Sequence, residues 1–148
     1  RVATRSDTPE APLIVLTRKR RLEAKAGYFI AEELECPLSE EAWSRVEAGE
    51  IDLLDLDLEP LKTLELSPPL FAHGLMHNLR QVVESGGYTL EIDRTTFPGP
   101  EIQVEIEAET EDPEGARAHI LSITEAKGIA LFNQTRGKYA RFLEALRR

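Results

Sequence analysis

A single cysteine, Cys36, stands among 148 residues, so no disulfide can close within the chain. Set between Leu34 and Pro37, it reads as a packed residue at a strand end rather than as a nucleophile. Positive charge is also short. The 18 Lys and Arg residues face 27 Asp and Glu, leaving a net charge of −9 and a pI near 4.9. That balance lacks the broad basic surface that a general nucleic-acid or membrane-surface binder needs. It admits an anionic small ligand only where cations gather in one local pocket. No apolar run approaches the ~20 residues of a membrane-spanning helix. His73, His77 and His119 have no metal-ligand spacing. Internal repeats, heptads and low-complexity tracts are missing, as is a signal-peptide pattern, so the cytoplasm is the expected location. What remains is an ordinary globular composition, 41% apolar and 30% charged, sized for one domain with its own core.

Against these absences one stretch stands out. Glu101-Ile-Gln-Val-Glu-Ile-Glu-Ala-Glu109 alternates polar and apolar throughout, the period-2 pattern of a strand whose faces meet different environments. Ile102, Val104 and Ile106 share one face, and Glu101, Gln103, Glu105, Glu107 and Glu109 the other. Carboxylates in line repel one another unless water, a divalent metal or a set of Lys and Arg compensates them.

The rest of the chain reads as hairpins with helices at intervals. Residues 13–25 begin as a buried strand and turn polar, and 28–36 alternate again, with Gly27 supplying the turn. Ser39 caps a helix that presents Trp43 and Val46 inward and stops at Gly49. Residues 51–73, Leu-rich but broken by Pro60, Pro68 and Pro69, predict short helical pieces and loops. Two strands, 76–84 and 88–96, flank Ser85-Gly86-Gly87 as a second hairpin. Pro113 opens a helix that Gly128 ends, and a last helix over 137–148 buries Tyr139, Phe142, Leu143 and Leu146. The class is therefore α+β.

Several strands carry polar side chains opposite an apolar face. If helices cover the apolar faces, the polar ones turn inward and line a wet cavity, an antiparallel β-barrel with a polar interior. Glu105, Glu107, Asp93, Arg80 and Asn78 would lie inside it, joined by Lys19 from the first hairpin. Lys138 and Arg141, at i and i+3 of the last helix, would reach its mouth. Ile102, Val104 and Ile106 would pack outward on helices, and Arg18 and Arg20 would face water. Carboxylates that hold Mg²⁺ or Mn²⁺, beside cations that grip phosphate oxygens, suit a polyphosphate.

Asn78-Leu-Arg-Gln, Gly87-Tyr-Thr-Leu-Glu-Ile-Asp93, Phe97-Pro-Gly and Val104-Glu-Ile-Glu107 resemble the second half of a CYTH domain. Thr135-Arg-Gly-Lys138-Tyr-Ala-Arg141-Phe142 is similar to that family's entry to its last helix, and Leu16-Thr17-Arg18-Lys19 to its Leu-Thr-x-Lys strand. CYTH proteins are triphosphate tunnel enzymes, and the resemblance implies a single such domain over 1–148. It carries Glu105 and Glu107 onto metal-binding carboxylates. Lys19, Arg80 and Lys138 fall on phosphate-gripping cations with catalytic roles, and Arg141 on a further substrate-binding position. Asp93 falls on a family position of unassigned role.

The family's first strand, Glu-x-Glu-x-Lys, has no counterpart before Leu13, so residues preceding Arg1 are expected. Asp7-Thr8-Pro9 matches a further family motif. Aligned on it, Arg18 and Arg20 would form the family's Arg-x-Arg pair and displace Lys19, whereas the spacing to the Gly27 hairpin favours Lys19. The activity implied is metal-dependent hydrolysis of a triphosphate, inorganic tripolyphosphate or thiamine triphosphate. The alternatives are class IV-type adenylate cyclisation and a non-catalytic phosphate-ligand tunnel. A small triphosphate is the expected partner, without nucleic acid or membrane, and a homodimer is a further expectation.

Overall fold

The computed structural model describes residues 2–5, 13–25, 28–62, 64–65, 69–70 and 74–148. They fall into two compact units, the first within residues 1–72 and the second formed chiefly by 73–148. The Gly27 turn, His73, Pro68 and Asp7-Thr8-Pro9 lie outside the described residues.

The first unit is built on a three-stranded sheet in the order β1-β2-β3, comprising β1 (Val2–Arg5), β2 (Leu13–Lys25) and β3 (Tyr28–Leu38). β1 runs antiparallel to β2 with Val2 opposite Leu16. Side-chain contacts between Thr17 and Glu35, Lys19 and Glu33, and Arg20 and Glu32 run in opposite directions along β2 and β3, the mark of an antiparallel pair. Ile14, Leu16 and Leu38 form the core, on which Trp43 of α1 (Glu40–Glu47) packs with Leu53, Leu56, Leu58 and Leu61. Ser39 caps α1 through Ala42 N–H, donated to Ser39 Oγ at 3.1 Å. The Leu-rich segment forms two 3-10 turns, Leu53–Asp55 and Glu59–Leu61. Arg18 departs from expectation. Its side chain is only 14% exposed and donates to Pro60 O at 3.3 Å, because the second turn needs a donor where it meets β2.

The second unit is a meander with its own helices. β4 (His77–Ser85), β5 (Tyr88–Thr96) and β6 (Ile102–Ala108) pair antiparallel in that order. Gly86 and Gly87, both at positive φ, form the two-residue turn whose twist matches that of the strands, and this turn sets Ser85 opposite Tyr88. The same register sets Arg80 opposite Asp93 and Asp93 opposite Glu105. One face therefore carries Asn78, Thr95 and Gln103 in one row, Arg80, Asp93 and Glu105 in the next, then Val82, Glu91 and Glu107. The other face carries Leu79, Arg94 and Val104, then Gln81, Ile92 and Ile106, then Val83, Leu90 and Ala108.

α2 (Pro113–Glu125) packs along β6, with Ala116 and Thr124 buried, and is pinned to the hairpin turn by side chains. Tyr88 Oη donates to Asp112 at 2.8 Å, and Ser85 Oγ and His119 Nε2 lie 2.9 Å apart. α2 covers only part of the apolar face. Leu90 is 2% exposed but Val104 is 66% exposed, and Ile102 is also open, contrary to the outward packing expected of that row. α3 (Lys138–Ala145) buries Arg141 and Phe142 while Tyr139 and Leu146 are exposed. The expected apolar stripe is thus rotated, because α3 meets polar partners. Among the described residues no helix is long and apolar enough to cross a membrane.

The turn yields a test. A Cβ at Gly87 would meet open space, whereas one at Gly86 would collide with the His119 ring. Gly87→Ala is expected to cost about 1 kcal/mol, from left-handed backbone alone. Gly86→Ala should cost at least about 1 kcal/mol more from overpacking. Urea midpoints of the two variants check the order.

Candidate functional site

The middle row of the polar face is the centre of the second unit. Asp93 is fully buried, and burial by itself pushes its carboxyl pKa up. Hydrogen bonds from Arg80, Lys138 and Asn78 outweigh burial and hold Asp93 well below the ordinary carboxylate range, so it is ionised. Arg80 grips it as a fork, Nε to Oδ1 and Nη2 to Oδ2, both at 2.7 Å. Lys138 Nζ donates to Asp93 Oδ2 at 2.5 Å from the first turn of α3. The bonds to Asp93 in turn hold the Arg80 guanidinium above its ordinary pKa, against the effect of its partial burial.

The remaining carboxylates surround this pair of cations. Arg80 Nη1 lies 2.5 Å from Glu91 and Nη2 3.6 Å from Glu107. Lys138 Nζ is 3.5 Å from Glu105 Oε2 and 3.7 Å from Glu107. Arg141 Nη2 reaches Glu105 Oε1 at 2.5 Å, and its Nη1 donates to Gln103. Thr95, fully buried, donates to Asn78 at 2.6 Å and closes the row beneath.

Of the residues proposed from sequence, Arg80, Lys138, Arg141, Glu105 and Glu107 thus converge on one sheet face. Lys19 lies in the first unit with Nζ 3.2 Å from Glu33. Asp93 and Gln103 join the same face, with Asp93 at its centre, more closely tied to the cations than pattern reading implies. Counting equal steps from the Gly86-Gly87 turn places Asp93 opposite Arg80, a signal already present in the sequence.

Two observations bear on a metal. Glu105 Oε2 is buried and accepts no hydrogen bond, while Glu107 is 43% exposed. Among the described residues no group of three Asp, Glu, His or Cys side chains could hold an ion. Mg²⁺ commonly takes only one or two protein carboxylates and completes its shell with water and substrate phosphates. Glu105 and Glu107 fit that mode and not a closed all-protein cage.

No protein-family model matches the chain, and a search of curated proteins finds no match. Solved structures do match. HpAC1 from Hippeastrum, a protein proposed as an adenylyl cyclase and found to have a dominant triphosphatase activity, aligns with a TM-score of 0.71 at 23% identity. The alignment covers 89% of this chain and 67% of that one. A proposed adenylate cyclase from Bacillus halodurans aligns with a TM-score of 0.58 at 19% identity, over 88% of this chain and 70% of its own. At these identities the likenesses bear on the fold alone, which is α+β and similar to that of these two proteins.

Asp93 makes stability depend on pH. Its folded pKa lies below the unfolded value of about 3.9, so its contribution is present above that value and is lost as pH falls through the folded pKa. Asp93→Asn is expected to cost about 3 kcal/mol at neutral pH, the low end for breaking a buried pair, because Arg80 stays reachable by water. Below about pH 4 the parent should lose stability more steeply than the variant. Urea titrations of both from pH 6 to pH 2 check this.

Proposed function

We propose that the chain is a metal-dependent hydrolase of a triphosphate, inorganic tripolyphosphate or thiamine triphosphate. One observation carries the reading. A single sheet face gathers Arg80 and Lys138 among Glu91, Asp93, Glu105 and Glu107, and one buried carboxylate oxygen, Glu105 Oε2, accepts no hydrogen bond and meets only the Lys138 charge at 3.5 Å. Cations and carboxylates at that range suit a phosphate chain and its counter-ion together. The triphosphatase activity of HpAC1 supports the same reading.

In this mechanism Arg80, with a side chain 40% exposed, exchanges Glu91 for phosphate oxygens while Asp93 keeps the other edge of its fork in place. Lys138 places a point charge beside the same oxygens. Glu105 and Glu107 would hold Mg²⁺ or Mn²⁺, which when bound neutralises phosphate oxygens and lowers the pKa of a water. Water attacks the terminal phosphorus in line with the departing diphosphate oxygen, and Arg80 and Lys138 take up the charge that collects there. The resemblance alone adds Lys19 as a further phosphate-gripping cation, Arg141 as a substrate-binding residue and the closed tunnel as the architecture. A second reading, cyclisation of ATP, draws on the descriptions of the two structural neighbours.

The assay is phosphate release from tripolyphosphate, thiamine triphosphate and ATP, with Mg²⁺ and with chelator, alongside cyclic AMP. Phosphate from a triphosphate with Mg²⁺ only is the expected result. Cyclic AMP would favour the second reading, and tight binding without turnover a non-catalytic tunnel. Glu107→Gln is the cleanest variant, since Glu107 is half exposed and its loss spares the core. It should lower turnover about 100-fold, a loss of about 2.7 kcal/mol at the transition state, with an unchanged melting temperature. Arg80→Lys should lower turnover at least about tenfold, because an ammonium cannot reproduce the fork. Normal kinetics in both variants would sink the assignment.

A further inference from the structure

We propose that Arg141 is a positioning residue that orients Glu105 as a metal ligand, and not a cation that touches the phosphate chain. The inference rests on the function proposed above and assigns Arg141 a different part in it. Arg141 is 7% exposed, and both of its terminal nitrogens are occupied. One donates to Glu105 Oε1 at 2.5 Å and the other to the Gln103 carbonyl oxygen. Its guanidinium carbon sits 5.4 Å from the centre of the Phe97 ring, itself 3% exposed, so cation–π attraction holds it against that buried ring. Gln103 is fixed in turn, its amide donating to Glu101 at 2.5 Å, and Glu101 pairs with Arg148 at 2.8 Å.

Both terminal nitrogens are therefore engaged within the protein, and the remaining donor, Nε–H, is buried away from any ligand. To grip a phosphate the guanidinium would have to leave Phe97, break two charge-assisted or polar bonds and strand the buried Glu105 carboxylate, which costs several kcal/mol. Arg80 and Lys138 are more open to a ligand, with side chains 40% and 16% exposed. What Arg141 achieves is the asymmetry of Glu105. One oxygen is tied down, and the other, Oε2, is buried, accepts no hydrogen bond and faces Lys138 Nζ at 3.5 Å. A carboxylate held that way offers one oriented oxygen to a cation, as second partners of metal ligands do elsewhere.

The test separates metal from anion binding without turnover. Mn²⁺ binding is read by electron paramagnetic resonance in the absence of substrate, and tripolyphosphate binding by calorimetry in EDTA. Arg141→Lys keeps the charge and loses the fork. It should weaken Mn²⁺ about tenfold, within the range for such partners, and change tripolyphosphate affinity less than about twofold. Lys138→Ala should do the reverse. Gln103→Ala loosens Arg141 without disturbing any charge, and it should weaken Mn²⁺ several-fold even if Arg141→Lys fails to fold. A tenfold loss of tripolyphosphate affinity in Arg141→Lys, with Mn²⁺ unchanged, would overturn the inference and leave the triphosphatase reading intact. Parent protein that binds no Mn²⁺ with tripolyphosphate either absent or present would overturn both.

Discussion

A carboxylate removed from water must either take up a proton or be met by charge of the opposite sign. Asp93 is met twice, by the Arg80 fork from the neighbouring strand and by the Lys138 ammonium from α3. That arrangement constrains the whole second unit. A one-residue slip of β5 would turn Asp93 to the face that carries Leu90 and Ile92 and would carry it away from Arg80. Loss of α3 would remove Lys138 and open the row to solvent. Strand register, helix placement and ionisation state thus stand or fall together.

In the β4-β5-β6 sheet part of the polar face is buried and part of the apolar face is open. Asp93 and Thr95 on the polar face are fully buried, whereas Leu79 and Val104 on the apolar face are 62% and 66% exposed. The cause lies in the helices. α3 places Lys138 and Arg141 over the polar rows, and α2 is pinned near the hairpin turn by Tyr88-Asp112 and Ser85-His119. Burial of Asp93, Glu105 and Arg141 strengthens the charge interactions they make, because little water remains there to screen them. The same burial makes any unpaired charge costly, and this explains why nearly every polar atom in the rows has a partner.

Much of this was legible in the sequence because it is local. The alternation at 101–109, the Gly86-Gly87 turn, the Ser39 cap and the Pro113 helix start each need only a few neighbouring residues, and each appears as expected. Glu105, Glu107, Arg80, Lys138 and Arg141 stand out in the sequence by strand alternation, helical spacing and family resemblance. What stayed hidden depends on tertiary partners. Apolar periodicity in 137–148 placed Tyr139 inside, since no pattern of hydrophobes reports that a helix will dock on carboxylates. The burial of Arg141 follows from Glu105, Gln103 and Phe97, all more than thirty residues away in the chain. The burial of Arg18 is hidden for the same reason, its acceptor being a backbone carbonyl at Pro60.

Charge balance supplies the last step. The polar face holds three cations, Arg80, Lys138 and Arg141, against four carboxylates, Glu91, Asp93, Glu105 and Glu107. A polyphosphate entering alone would draw Arg80 and Lys138 partly off Asp93 and leave a surplus of negative charge in a poorly solvated place. A divalent cation entering alone would meet Lys138 close to the very oxygen it needs, Glu105 Oε2. The two together relieve both difficulties. The phosphates occupy the cations, the metal occupies the carboxylates, and each offsets the charge the other brings. A face built with both signs in register therefore favours a metal-bound polyphosphate over either component, which is the physical reason to expect that binding of one depends on the other.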